Sequence, residues 1–297
     1  MKPAPFTYHR ARTVEEAATL LAALSDEGGR ILAGGQTLIP MMAFRLASPS
    51  HLIDINRIEA LENIRVESAT LRIGALARHA RFHREVTPGP LGQLLTRVAA
   101  HIAHYPIRQR GTYCGSVANA DPASEWCLVT ATLGGTMVAL SAAGARAIGA
   151  TEYFRSAMTT ALQPDELLCE VHLPLPAEQR RLGFFEFSRR AGDFALAMSL
   201  ASFDVIDGCI EGCQLGVGGV EQSPRRLAEA EAVLNGERPG AELFERAAEA
   251  AAAVLEPLDD PQAPAEYRRA LAKVVVRRAL DDAMSWTVPG QGPRERA

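Results

Sequence analysis

No apolar run in the chain approaches the roughly twenty residues that a membrane-crossing helix needs, which excludes insertion into a bilayer. Excess charge is also missing. The 31 lysines and arginines stand against 35 aspartates and glutamates, leaving −4 and no basic stripe, so a nucleic-acid footprint is excluded. Aromatic residues make up only 6 % and are not interleaved with basic ones, so there is no stacking platform for single strands. Cysteine is sparse and unpaired in pattern. Cys114, Cys127, Cys169, Cys209 and Cys213 form no CxxC, and an odd number of scattered thiols supplies neither a disulfide framework nor a zinc or iron–sulfur ligand set. Residues Met1 to Arg12 carry Lys2, Arg10 and Arg12 without the apolar core of an export signal, which points to the cytoplasm. His79/His83 and His101/His104 have helical spacings but no accompanying carboxylates or thiols, and read as surface or packing histidines.

What is present is ordinary globular composition, 47 % apolar and 22 % charged over 297 residues, enough for two or three domains with a buried core. Thr13-Val14-Glu15-Glu16 is a capping box, and the helix that it opens through Leu24 places Ala17, Leu20, Leu21 and Leu24 on one face. Short strands follow at Arg30 to Ala33 and His51 to Ile55. From Leu61 the pattern is β, with Ile64 to Val66 paired to Leu71 to Ala75, then a polar helix over 77–85. Pro90 starts an amphipathic helix with a stripe from Leu91 to Ile102. A helix at Cys127 to Leu133, a strand at Thr136 to Leu140, a short helix near Thr151 and a strand at Leu167 to Leu173 complete this block. Ala177 to Arg181 reads as a linker. Beyond it, Asp207-Gly208 turns a hairpin between Leu200–Ile206 and Cys209–Val217, followed by helices at 224–234, 241–255 and 264–284 and an unordered tail from Val288.

Two glycine-bearing turns carry the chemistry. Ala33-Gly34-Gly35-Gln36-Thr37-Leu38 follows a strand and opens an apolar segment, so adjacent backbone N–H groups can converge on a phosphate. A plain tight connection is the competing reading. The second turn, Gly111-Thr112-Tyr113-Cys114-Gly115-Ser116, offers small residues and two hydroxyls, with Asp121 and Glu125 downstream. That set suits a cofactor bearing a pyrophosphate and sugar hydroxyls, which needs N–H and O–H donors for phosphate and carboxylates for hydroxyl groups. Turn chemistry at Asp121-Pro122 is the alternative there. The chain has no GxGxxG fingerprint to favour NAD.

The stretches AGGQTLIPMM (33–42) and GTYCGSVANADPASE (111–125) resemble the two flavin-binding signatures of the xanthine dehydrogenase/carbon monoxide dehydrogenase medium subunits, the molybdenum hydroxylase family. TTALQPDELLCEVHLP, FEFSRRAGDFALA and GVGGVEQSPRRLAEAE extend the likeness along most of the chain. The resemblance implies an α+β protein: a vanillyl-alcohol-oxidase (PCMH)-type FAD-binding domain of two α/β subdomains, then a C-terminal domain with a small antiparallel sheet and helices. The corresponding boundaries are 1–56, 57–176 and 177–286, with 287–297 as the tail. It also implies that Leu32, Ala33, Gly34, Gly35, Gln36, Thr37 and Leu38 hold the FAD pyrophosphate from one side, and Thr112, Tyr113, Cys114, Gly115 and Ser116 from the other. Asp121 and Glu125 would supply acids, Ile102 and Leu168 an apolar lining, and Asp193, in the loop Ser188 to Phe194, would lie near the isoalloxazine ring. Where the family has Ile-Gly-Gly, this chain has Tyr113-Cys114-Gly115, and a side chain at 114 requires negative φ there.

By the same resemblance the chain is an electron-transfer subunit in a dimer of heterotrimers. A large partner would carry the molybdenum–molybdopterin cofactor and a small partner two 2Fe–2S clusters. No residue is expected to perform acid–base catalysis, and no metal is expected in this chain. A free-standing FAD oxidoreductase and a cofactor-less docking subunit are the alternatives. The substrate, and whether the acceptor is quinone, NAD or oxygen, stay open.

Overall fold

A computed structural model describes residues 2–285; the expected tail from Val288 lies outside them. Near the N-terminus, β1 (Thr7–Arg10), β2 (Gly29–Leu32) and β3 (His51–Asp54) form a parallel sheet in the order β1-β3-β2. Helix α1 (Val14–Leu24) connects β1 to β2. Thr13 caps it by accepting from the Glu16 N–H at 3.1 Å, while the Glu16 carboxylate accepts from the Arg12 N–H at 2.7 Å. Its buried Ala17 and Leu21 join the core of the next unit, so the N-terminal sheet is docked there. Helix α2 (Leu38–Ala43) follows the first glycine turn.

The next unit is an antiparallel sheet built from β4 (Ile64–Glu67), β5 (Thr70–Gly74), β6 (Thr136–Ser141) and β7 (Gly144–Gly149), with the later strand Leu167–Pro174 inserted between β5 and β6. Helices α3 (Pro90–His101), α4 (Tyr105–Arg108), α5 (Tyr113–Asn119), α6 (Glu125–Thr132) and α7 (Ala150–Tyr153) surround it, with a small hairpin of β8 (Phe154–Ser156) and β9 (Thr159–Thr160). The inserted strand is β10. Val171 and Leu173 are buried, and a register shift between Leu168 and Glu170 interrupts the alternation. Helix α6 is buried around its whole circumference, as its unbroken Trp126 to Val129 run requires.

The helix expected over 77–85 is only a 3-10 turn at His79–His83. The reason is competition for the backbone just before it. The Ala77 carbonyl accepts from the Tyr113 N–H and the His79 N–H donates to the Gly111 carbonyl, so this segment is pinned to the second glycine turn.

In the C-terminal unit, β11 (Arg181–Phe187), β12 (Ala197–Ile206), β13 (Cys209–Gly218) and β14 (Arg225–Arg226) form one antiparallel sheet in chain order. Helices α8 (Ala228–Leu234), α9 (Ala241–Val254) and α10 (Ala265–Ser285) build a second hydrophobic core against it. Three expectations shift here. Arg181 belongs to a strand, not a linker, and the preceding Arg180 is tied to Ser202, Asp204 and Gly212. Arg225 and Arg226 pair with β13, so the helix expected from Pro224 starts at Ala228. The hairpin turns at Asp207-Gly208, both at positive φ, as expected.

Candidate functional site

The two glycine turns meet edge to edge. Gly34 is buried, and a methyl group there would collide with the Arg110 carbonyl oxygen and lie 2.7 Å from the Gly111 Cα. Gly35 follows at φ +69°, a conformation that glycine tolerates without strain. From Gly34 to Leu38 the backbone N–H groups have no acceptor among the described residues. The carbonyls just before them are occupied, since the Asn56 side-chain amide donates to the oxygens of Leu32 and Ala33, the latter at 2.8 Å. Arg78 then spans both turns, donating to the Asn56 Oδ1 at 2.6 Å and to the Arg110 carbonyl.

On the second turn, Thr112 is the N-cap of α5 and its hydroxyl accepts from the Gly115 N–H at 3.0 Å. Cys114 is therefore helical with negative φ, and its thiol points into the core, donating to the Ile73 carbonyl at 3.4 Å. Burial pushes the Cys114 thiol pKa up, with the neighbouring Cys169 adding to the effect, so the thiolate is suppressed. The side chain that replaces the family's glycine thus engages the core through Ile73, and Cys114 is still among the residues lining the cavity.

A cavity of about 800 Å³ opens between the turns. Leu32, Ala33, Gly34, Gly35, Gln36, Thr37 and Leu38 line one side of it, and Thr112, Cys114, Gly115 and Ser116 the other. Ile102, Asp121, Glu125, Leu168 and Asp193 line it as well. Tyr113, expected with them, is not among the lining residues. Its ring is fully buried, stacked on Trp126 with its hydroxyl 2.9 Å from Thr130 Oγ1, and its N–H is engaged by Ala77. In the Asp193 loop, Gly192 sits at φ +85° with its Cα face against His104, which brings Asp193 and the exposed Phe194 to the cavity edge.

The carboxyls are not equivalent. Asp121 caps its own turn, its carboxylate accepting from the Ala123 N–H at 2.9 Å, and burial raises its pKa. Glu125, at the start of α6, is buried, and its pKa is raised first by desolvation and then by Asp121. Glu186 on β11 was not singled out from the sequence. Its pKa is raised by burial and then by Glu125, one carboxyl oxygen is buried without a hydrogen bond, and the closest cationic candidate, His101 Nδ1, lies 3.7 Å away. His79, read from the sequence as a packing residue, lines the cavity. No local spacing marks it, because its partner Trp126 lies in a distant helix. Met158 lines the cavity too, as do most residues from Thr159 to Leu168, the start of a stretch that carried the resemblance.

The family profile described as "FAD binding domain in molybdopterin dehydrogenase" matches residues 4–176, and "CO dehydrogenase flavoprotein C-terminal domain" matches residues 183–283. The chain belongs to this flavoprotein family of the molybdenum hydroxylases. It is 35 % identical to the nicotine 6-hydroxylase medium subunit of Paenarthrobacter nicotinovorans, over 95 % of this chain and 99 % of that one. The 6-hydroxypseudooxynicotine dehydrogenase complex subunit alpha of the same organism is 38 % identical over 96 % of each chain. Among solved structures, carbon monoxide dehydrogenase from Hydrogenophaga pseudoflava superimposes with a TM-score of 0.92 at 33 % identity, covering 96 % of this chain and 99 % of that one. The fold is therefore the PCMH-type flavoprotein architecture with its C-terminal domain, and FAD is the cofactor of this family domain. The residues present fit it. A seam that admits no Cβ, unengaged N–H groups along its lip and buried carboxyls deeper in are donors and acceptors of the kinds that a pyrophosphate and sugar hydroxyls require.

Proposed function

We propose that this chain is the FAD-carrying electron-transfer subunit of a three-component molybdenum hydroxylase. In this reading it accepts electrons from 2Fe–2S clusters of a small partner and delivers them to an external acceptor. A large molybdopterin-binding partner oxidises the substrate, and the assembly is a cytoplasmic dimer of heterotrimers. The observation that carries the reading is the cavity at the touching glycine turns, lined by Gly34 to Leu38 on one side and by Thr112, Cys114, Gly115 and Ser116 on the other. Relatives named for nicotine, 6-hydroxypseudooxynicotine and carbon monoxide fit a chain that does not itself select the substrate. No helix among the described residues is long and apolar enough to cross a membrane.

Bound FAD would supply the ability to take up electrons one at a time from the clusters and release them singly or as a pair to the acceptor. The protein's work is binding and shielding. The N–H groups of Gly34 to Leu38 hold the pyrophosphate from one side, while Ser116 and the α5 backbone face it from the other. Asp121 and Glu125 bond the cofactor's hydroxyl groups. Ile102 and Leu168 would exclude water, and the Asp193 loop would lie beside the ring. We also propose the division into 1–56, 57–176 and 177–286, with the site at the junction of all three.

The test is to purify the chain with its co-expressed partners and measure flavin, iron and molybdenum, then add substrate anaerobically and follow the flavin absorbance. Stoichiometric FAD that bleaches after the iron–sulfur absorbance is the expected result. A complex without flavin, or flavin that substrate leaves oxidised, would overturn the reading.

A further inference from the structure

His79 has one ring nitrogen assigned and one unspent. Its Nδ1 lies 2.9 Å from the indole Nε1 of Trp126. An indole N–H only donates, so Nδ1 must accept and the neutral ring carries its proton on Nε2. Trp126 has no freedom to release it, being fully buried, stacked on Tyr113 with ring centroids 4.7 Å apart and packed against Phe82 at 5.0 Å. The His79 backbone is fixed as well, through its N–H to the Gly111 carbonyl at 3.0 Å. His79 itself is 4 % exposed. Burial, followed by Arg108 and Arg78, pushes its pKa down to about 3, which keeps the ring neutral.

Nε2 has no acceptor among the described residues. It lies at the seam, because a Cβ on Gly111 would stand 2.6 Å from it, and Gly111 is the residue that Gly34 touches. Nε2 is not one of the fully buried polar atoms without a partner among the described residues, and His79 and Gly111 both line the cavity, so an acceptor bound there is within reach of this donor.

We propose that His79 is a cofactor-binding residue, its Nε2–H donating to a pyrophosphate oxygen where the two glycine turns meet, and that Trp126 is the positioning residue that fixes this tautomer. The inference rests on the reading of the cavity as the FAD site. A phosphate oxygen is chosen over a ribityl or ribose hydroxyl because the unengaged N–H groups of the first turn, Gly34 to Leu38, line the same cavity at the same seam.

The experiment uses the full chain, stripped of flavin, with three probes: FAD, ADP (pyrophosphate without flavin) and riboflavin (flavin without phosphate). Binding is followed by flavin fluorescence and by calorimetry. His79→Leu should weaken FAD and ADP by about 10- to 100-fold, the range for one hydrogen bond to a charged group, and leave riboflavin unchanged. His79→Gln, which restores an N–H at a similar reach, should recover most of the loss. In ¹⁵N-histidine NMR, His79 should show the Nε2–H tautomer, and Trp126→Phe should abolish that preference and weaken ADP. Unchanged ADP and FAD affinity in His79→Leu, equal losses for riboflavin, or an Nδ1–H signal in the unaltered chain would overturn the proposal. If the unaltered chain binds neither FAD nor ADP, the cavity reading itself fails and this inference with it. The NMR signature does not depend on any variant folding.

Discussion

At position 34 the backbone of one turn rests on the backbone of another, and nothing flexible stands between them to yield. Gly34→Ala must therefore push the Ala33–Leu38 turn off the Arg110–Gly111 segment. We expect it to lose more than tenfold in FAD affinity, on the order of 1–3 kcal/mol for a forced overpacking. Gly240 is the control, since its φ of 179° is extended and a Cβ there meets nothing within 4 Å. Gly240→Ala should retain flavin content and melting temperature, and equal flavin loss in both variants would contradict the seam. Cys114 gives a second residue-scale prediction. Its thiol is buried with a raised pKa, whereas Cys209 is partly exposed on the edge of a hairpin turn. Brief alkylation of the native protein at neutral pH should label Cys209 and spare Cys114, as read by peptide mass spectrometry.

Among the elements, the docking of α10 on β11 decides whether the C-terminal unit holds its shape. Gly183 is where they touch. A Cβ there would strike the Ala279 carbonyl and come within 2.9 Å of the Ala283 Cα, so Gly183→Ala has to lift the helix from the sheet. A loss of about 3 kcal/mol or more in urea unfolding is expected; a loss below about 0.5 kcal/mol would mean that the helix shifts freely. Helices α1, α3, α9 and α10 were legible because each buries one stripe, and the capping box and Pro90 marked two of the starts. Strand β11 was not, because Phe184-Phe185-Glu186-Phe187 lacks polar alternation and an arginine-rich approach resembles a linker. The turns that carry the site were legible through their glycines and motif likeness. Their supports were not: Asn56, Arg78 and His79 are recruited from distant strands and loops by contacts that no periodicity records.

Across the whole molecule, Glu125 and Glu186 bring two buried carboxyls together from different units, and each holds its proton more tightly in the folded chain than at the ordinary value of 4.5. His101 offers little relief, because burial and then Arg97 lower its pKa. At these two carboxyls the folded state binds more protons than the unfolded chain above 4.5, so their contribution to stability falls as pH rises through neutrality, while His79 and His101, with lowered pKa, act in the opposite sense only below their ordinary 6.5. Melting of the flavin-free protein should drop between about pH 6.5 and pH 8, above the range where the histidines act, and Glu186→Gln should flatten that slope; an unchanged slope would remove Glu186 from the account. The touching turns have a consequence for assembly as well. If the cavity is the flavin site as proposed, each contributes half of the receptor, one from the N-terminal sheet and one from the helical segment beyond residue 110, so a chain whose N-terminal unit has not docked has no place to keep a flavin. On that reading yellow colour works as a checkpoint: retention of the cofactor certifies that the two turns have met.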